Sequence, residues 1–137
     1  MIKGINHLCF SVKDLKRSIW FYEEILEGNL LVKGNTTAYF DLNGLWIALN
    51  EEKDAGRDFD SYTHTAFSID EKDITRAFNK LVENGVTILK GRKRHSKDKR
   101  SIYFLDPDGH TFEFHTGSFQ DRIDYYKEEK TNMEFYQ

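Results

Sequence analysis

The stretch Gly4-Ile5-Asn6-His7-Leu8-Cys9-Phe10-Ser11-Val12 is read twice in this chain, the second time as Asp60-Ser61-Tyr62-Thr63-His64-Thr65-Ala66-Phe67-Ser68-Ile69. His7 falls on His64, Phe10 on Phe67, Ser11 on Ser68 and Val12 on Ile69, at one offset (64 − 7 = 57). Both copies are short, apolar and rich in β-formers, which predicts a strand in each. A strand side chain alternates between faces, so Ile5, His7, Cys9 and Ser11 share one face, and Leu8, Phe10 and Val12 share the other with Asn6. The first of these faces is a poor core and a good lining for a site. A histidine at the same place in two equivalent strands is a candidate ligand pair; it is also what a packed or exposed histidine looks like when its strand is duplicated.

Working outward, the rest of each half repeats too. After the first strand, Asp14 predicts the start of a helix over about 14–27, with Leu15, Ile19, Tyr22, Ile25 and Leu26 at helical spacing and Gly28-Asn29 at its end. Strands follow at Leu30–Lys33, Thr37–Leu42 and Leu45–Asn50, the last two joined by Asn43-Gly44, a strong two-residue hairpin signal. In the second half a strand over Tyr62–Ile69 precedes a helix from Asp73 to Asn84-Gly85, whose apolar side is Ile74, Ala77, Phe78, Leu81 and Val82. Strands Val86–Lys90, Ser101–Leu105 and Thr111–His115 complete it, the last pair joined at Asp106-Pro107-Asp108-Gly109. Each half therefore reads β-α-β-β-β. The predicted fold is α+β, with two such modules contributing four-stranded sheets to one cupped mixed sheet. We expect one domain over 1–137: module one at 2–50, a charged linker at 51–60, module two at 61–116, and a C-terminal helix and tail at 117–137.

Bulk composition narrows the function classes. In 137 residues, 39% hydrophobic and 15% aromatic, a core can form and disorder is disfavoured. A net charge of −3 implies neither a nucleic-acid nor a membrane partner. The single cysteine, Cys9, leaves no intramolecular disulfide and fits a reducing compartment. With no signal-like segment or long apolar run, the expectation is a cytoplasmic protein.

Aligning the two hairpins at Gly44 and Gly109 sets Trp46 on Thr111, Ala48 on Glu113 and Asn50 on His115. Glu113 is then an acid inside a strand, between Phe112 and Phe114. It is either an exposed edge residue or a third ligand beside His7 and His64. Two histidines and one carboxylate on strands would leave coordination positions open for a substrate oxygen, and would suit Fe(II), Mn(II), Mg(II) or Zn(II). Cys9, Tyr39, Trp46, Asn50 and Tyr103 are placed to reach the same cavity. The basic run Gly91–Arg100 could add arginines to an anion pocket, although most of it reads as a solvated loop. His110, in the second turn, is expected to be exposed, and His115 is a candidate for an outer position around the ligands or for an alternative ligand.

The paired modules with His7, His64 and Glu113 resemble the vicinal oxygen chelate superfamily. Ile5–Val12, Gly44–Glu52, Ser61–His64 and Ser101–His110 together resemble its fosfomycin-resistance thiol transferases, most of all the bacillithiol-using metallothiol transferase branch. The resemblance implies a homodimer with exchanged modules, in which His7 of one chain meets His64 and Glu113 of the other around Mg(II) or Mn(II). It implies opening of the fosfomycin epoxide by a low-molecular-weight thiol, bacillithiol or cysteine. It assigns Tyr39, Tyr103 and Arg122 to the reacting phosphonate, and Arg92, Trp46, Asn50 and Cys9 to substrate binding, with Cys9 near the thiol's entry and Arg92 favoured over Arg94. Three alternatives in the same superfamily are weighed against it. Hydrolytic relatives carry a glutamate near the first hairpin, where this chain has Asn43-Gly44-Leu45. A ring-cleaving dioxygenase would want a further acid–base histidine, and a drug-binding protein would lack the ligand set.

Overall fold

The computed structural model describes residues 1–56 and 61–136. Its strands and helices follow the order read from the sequence. The first half comprises β1 (His7–Val12), α1 (Leu15–Glu24), β2 (Asn29–Lys33), β3 (Thr37–Leu42) and β4 (Leu45–Glu51). The second comprises β5 (Thr65–Ser68), a 3-10 turn (Glu71–Asp73), α2 (Ile74–Glu83), β6 (Ile88–Leu89), β7 (Ser101–Leu105) and β8 (Thr111–His115). A last helix, α3, covers Phe119–Glu129. The strand orders are β1-β4-β3-β2 and β5-β8-β7-β6, the same topology twice.

Strand register extends the duplication to single residues. In the parallel β1–β4 pair, Cys9 lies opposite Ala48; in the parallel β5–β8 pair, Ala66 lies opposite Glu113. The alignment that placed Glu113 where the first half has Ala48 is therefore a geometric equivalence.

The chain forms two compact units, Met1–Tyr62 with Leu105–His110, and Thr63–Phe104 with Thr111–Gln137. In the first unit α1 packs its apolar stripe against one face of the sheet, burying Leu15, Ile19 and Tyr22 with Phe40, Ile47 and Leu49. The Asp14 carboxylate accepts the Arg17 N–H at 3.0 Å and starts the helix. Its end differs from the sequence expectation. The left-handed residue is Glu27 (φ 59°), while Gly28 has no room for a side chain: a Cβ there would lie 3.1 Å from the Tyr22 carbonyl oxygen. Asn43 and Gly44 both have positive φ (50° and 90°), as a tight two-residue hairpin requires.

The turn between β7 and β8 belongs to this first unit. Asp106 is buried; its Oδ2 accepts the Tyr22 hydroxyl at 3.0 Å, and its Oδ1 accepts the N–H groups of Asp108 and His110. Asp108 takes the Lys13 N–H at 3.0 Å and pairs with Arg17 at 3.1 Å. His110, expected to be exposed, is 7% exposed. Its Nε2 donates to the Ser11 carbonyl at 2.8 Å and its ring packs on Phe10, contacts that single-sequence reading could not anticipate across 99 positions.

In the second unit Ile74 and Leu81 of α2 are buried with Ile102, Phe104 and Phe112, whereas Phe78 and Val82 stay exposed. β5 is shorter than expected, and His64 stands just before its first residue. β6 is reduced to two residues. Of the expected linker, Glu51 closes β4 and part lies outside the described residues. Ser118 and Asp121 form a reciprocal capping box at the start of α3. Among the described residues no helix is long and apolar enough to cross a membrane.

Candidate metal centre and anion site

In the second unit the buried Glu113 (5% exposed) collects the polar groups that the sequence singled out and several that it did not. Its Oε2 lies 3.0 Å from His64 Nε2. Its Oε1 accepts a short hydrogen bond from the Ser101 hydroxyl, and that hydroxyl oxygen lies 2.7 Å from His115 Nδ1. Because Ser101 donates to the carboxylate, His115 must donate to Ser101, which fixes its Nδ1–H tautomer. Burial holds the His115 pKa below its ordinary value, against the pull of Glu113, so the ring is neutral at pH 7. Arg94 Nη2 reaches the Tyr103 hydroxyl at 3.1 Å and Glu113 Oε1 at 3.5 Å. The Tyr103 ring meets His64 edge-on at 5.3 Å. Ser101 and Tyr103 also line an open cavity of about 310 Å³, with Ile74, Phe78, Ile88 and Leu89 among its apolar walls.

The basic run that follows β6 is anchored to α3. Lys97 Nζ bonds Glu128 at 2.9 Å and Glu129 at 2.8 Å, and the His95 ring stacks on Tyr125 at 5.4 Å. The Lys97 ammonium holds Glu129 below the usual carboxylate range. Asp98, the single acid in that run, is buried and draws three guanidiniums: Arg92 at 2.6 Å, Arg122 at 3.0 Å and Arg94 at 3.3 Å. Arg122 also reaches the Tyr126 hydroxyl at 3.4 Å.

In the first unit His7 and Cys9 are exposed on the sheet face opposite α1. His7 Nδ1 is held by Asn6 Oδ1 at 2.6 Å, so Nδ1 carries the proton and the Nε2 lone pair is the one presented to a ligand. Its ring packs on Trp46, its register partner, at 4.3 Å, and Tyr39 meets Trp46 edge-on at 5.3 Å. Asn50 accepts the Thr37 hydroxyl at 3.1 Å.

The structure thus brings His64, Glu113 and Tyr103 together in one unit, and Arg92 and Arg122 together on Asp98. In the other unit it gathers His7, Trp46 and Tyr39, with Cys9 on the same strand. Among the described residues no group of three or more His, Cys, Asp or Glu is gathered to hold a metal ion. The donor chemistry nevertheless suits one. A buried carboxylate oxygen and an imidazole nitrogen face each other at 3.0 Å, and such an oxygen-and-nitrogen pair suits a divalent cation. Three contributors escaped the sequence reading. Ser101 sits two residues before Tyr103 on the same strand face; Arg94, rather than Arg92, is the arginine that reaches Glu113; and Asp98 was legible only as a lone acid among six cations in Gly91–Arg100.

Residues 4–114 match the model of the Glyoxalase/Bleomycin resistance protein/Dioxygenase superfamily, and the chain belongs to that superfamily. The metallothiol transferase FosB of Lysinibacillus sphaericus (strain C3-41) is 61% identical over 137 residues, covering 98% of this chain and 97% of its own. That of Staphylococcus epidermidis (strain ATCC 12228) is 58% identical, covering 98% and 96%. Within the superfamily the chain belongs to the metallothiol transferase family, and so to the transferases. Among solved structures, a mutant of the fosfomycin resistance protein FosX from Listeria monocytogenes, with Mn(II) and 1S,2S-dihydroxypropylphosphonic acid, superposes with a TM-score of 0.85 at 31% identity, covering 92% of this chain and 99% of that one. FosX from Mesorhizobium loti gives 0.79 at 32%, covering 90% and 99%.

Proposed function

We propose that this protein inactivates fosfomycin by adding a low-molecular-weight thiol, bacillithiol or cysteine, across its epoxide. The observation that carries the reading is the Glu113–His64 pair beside an arginine cluster, in a chain so similar to named metallothiol transferases. His7, His64 and Glu113 would hold a divalent metal, Mn(II) or Mg(II), with His7 supplied by a second copy of the chain. The metal's contribution when bound is Lewis acidity toward the epoxide and phosphonate oxygens. The remaining work falls to the chain. Arg122, Arg92 and Arg94 offer guanidinium forks to the phosphonate, Tyr103 and Tyr39 offer hydroxyls, and Trp46 and Asn50 shape the wall. Cys9 stands near the thiol's approach. It is not the attacking sulfur, since the thiol is carried into the product. The new bond is C–S, the broken bond is the epoxide C–O, and the thiol's proton ends on the released oxygen.

Epoxide hydrolysis is the second reading, favoured by the FosX neighbours and by the diol named with one of them. The first hairpin of this chain, Asn43-Gly44-Leu45, lacks a glutamate to activate water. A product assay with fosfomycin and Mn(II), comparing bacillithiol, cysteine, glutathione and no thiol, decides between them. The adduct should form only with thiol; turnover without thiol would establish hydrolysis instead.

A further inference from the structure

Asp98 is a buried acid for which the reaction has no direct use. Its side chain is 1% exposed, yet three guanidiniums lie within 3.3 Å of it. A buried ion pair is by itself weak evidence of a stabilising role. Three guanidinium charges less one carboxylate leave a surplus of two positive charges. Glu113 is turned toward His64 and meets Arg94 only at 3.5 Å. Asp98 therefore draws three guanidiniums onto one buried carboxylate.

Its own position is fixed from both sides. The Asp98 N–H donates to the His95 carbonyl at 2.9 Å, and the adjacent Lys97 is tied to Glu128 and Glu129 of α3. One of its three partners, Arg122, comes from α3, while Arg92 and Arg94 come from the basic run. Without a central anion, three like charges so close together would splay apart.

We propose that Asp98 is the positioning residue of the anion site: it converges Arg92, Arg94 and Arg122 into one fan and trims their charge to match a phosphonate dianion. The inference rests on reading these arginines as phosphonate contacts. It predicts discrimination by charge, with a dianion preferred over a monoanionic sulfonate of the same shape.

The test uses the full-length Mn(II)-loaded protein and Asp98→Asn, which removes the charge and keeps the shape. We expect KM for fosfomycin to rise about tenfold or more, while kcat, KM for the thiol and Mn(II) affinity by electron paramagnetic resonance change less than about threefold. Calorimetry with methylphosphonate and methanesulfonate should show the dianion preference in the parent and its loss in the variant. An unchanged KM for fosfomycin would overturn the proposal. So would a loss of Mn(II) affinity and melting temperature in step with KM, which would mark a merely structural acid. If Asp98→Asn does not fold, Asp98→Glu decides, because it displaces the same charge by one methylene: a raised KM with intact Mn(II) affinity supports the role, and an unchanged KM removes it. If the parent turns over no fosfomycin, the proposed function falls. The calorimetric comparison then still judges Asp98, and failure of the parent to prefer methylphosphonate sinks the inference.

Discussion

Tyr22→Phe is the perturbation whose outcome the structure specifies most fully. The Tyr22 side chain is 1% exposed, and its hydroxyl donates to Asp106 Oδ2 at 3.0 Å. The substitution deletes one oxygen and leaves the ring packed against Phe21 and Phe40. Burial is the largest influence on Asp106 and lifts its pKa above the ordinary aspartate value, while His110, the turn N–H groups and the Tyr22 hydroxyl pull it back down. Burial also pushes the Tyr22 hydroxyl well above its ordinary value. A hydrogen bond to a charged acceptor is worth about 1.5–3 kcal/mol, and removing the buried hydroxyl returns part of that, so a net loss of about 1–2 kcal/mol is expected. For a chain of this length that is about 4–8 °C in Tm. The pH dependence has a definite sign. Loss of the hydroxyl raises the folded pKa of Asp106 further above its unfolded value. A carboxyl raised in this way binds more protons folded than unfolded. Its cost is therefore full above the folded pKa and fades as pH falls through it. Thermal melts followed by circular dichroism at about pH 7.5 and about pH 5, with metal removed by chelator throughout, should show the larger deficit at the higher pH. A deficit under about 1 °C, or one that grows toward acid, would refute the reasoning.

Glu113→Gln and His64→Ala should each weaken Mn(II) binding on the order of a hundredfold and abolish thiol transfer; retained affinity in either would remove that residue from the centre. Excess EDTA should stop turnover of the parent and added Mn(II) should restore it, as read by adduct formation. Arg122→Ala should raise KM for fosfomycin by about tenfold or more, and an unchanged KM would take Arg122 out of the anion site. Ser118→Ala should lower Tm by a few degrees and return Asp121 part of the way toward its ordinary pKa, because it removes the Ser118 hydroxyl while the Ser118 N–H, the larger influence on that carboxyl, remains. That contribution is present above the ordinary aspartate value and is lost as pH falls through the lowered one. Proton chemical shifts of Asp121 against pH would follow it, and an unmoved titration would count against the capping box.

The duplicated plan was legible because it is written in local signals: β-formers around His7 and His64, helical spacing from Leu15 to Leu26, and an Asn-Gly turn. Glu113 was legible because alignment of two turns is in effect alignment of two registers, and Ala66 does pair with Glu113 as Cys9 pairs with Ala48. What escaped depends on distance along the chain. The burial of His110 is set by Ser11 and Phe10, and the convergence of Arg92, Arg94 and Arg122 is set by a single acid that looks solvated in a run of cations. Both are charge and hydrogen-bond choices made only after the backbone has folded, and no periodicity announces them. The length of β5 was misjudged for a related reason: the β-forming residues extend past the residues that find a partner in β8.

The turn at Leu105–His110 also bears on how such a chain could have arisen from two copies of a shorter one. The first half does not finish itself. The acceptors for the Tyr22 hydroxyl, the Arg17 guanidinium and the Lys13 N–H all come from the second half's hairpin tip, as does the donor to the Ser11 carbonyl. A gene fragment ending at residue 56 would encode a sheet and a helix with those groups left bare. Without that tip the Tyr22 hydroxyl, the Arg17 guanidinium, the Lys13 N–H and the Ser11 carbonyl would have to find other partners or water.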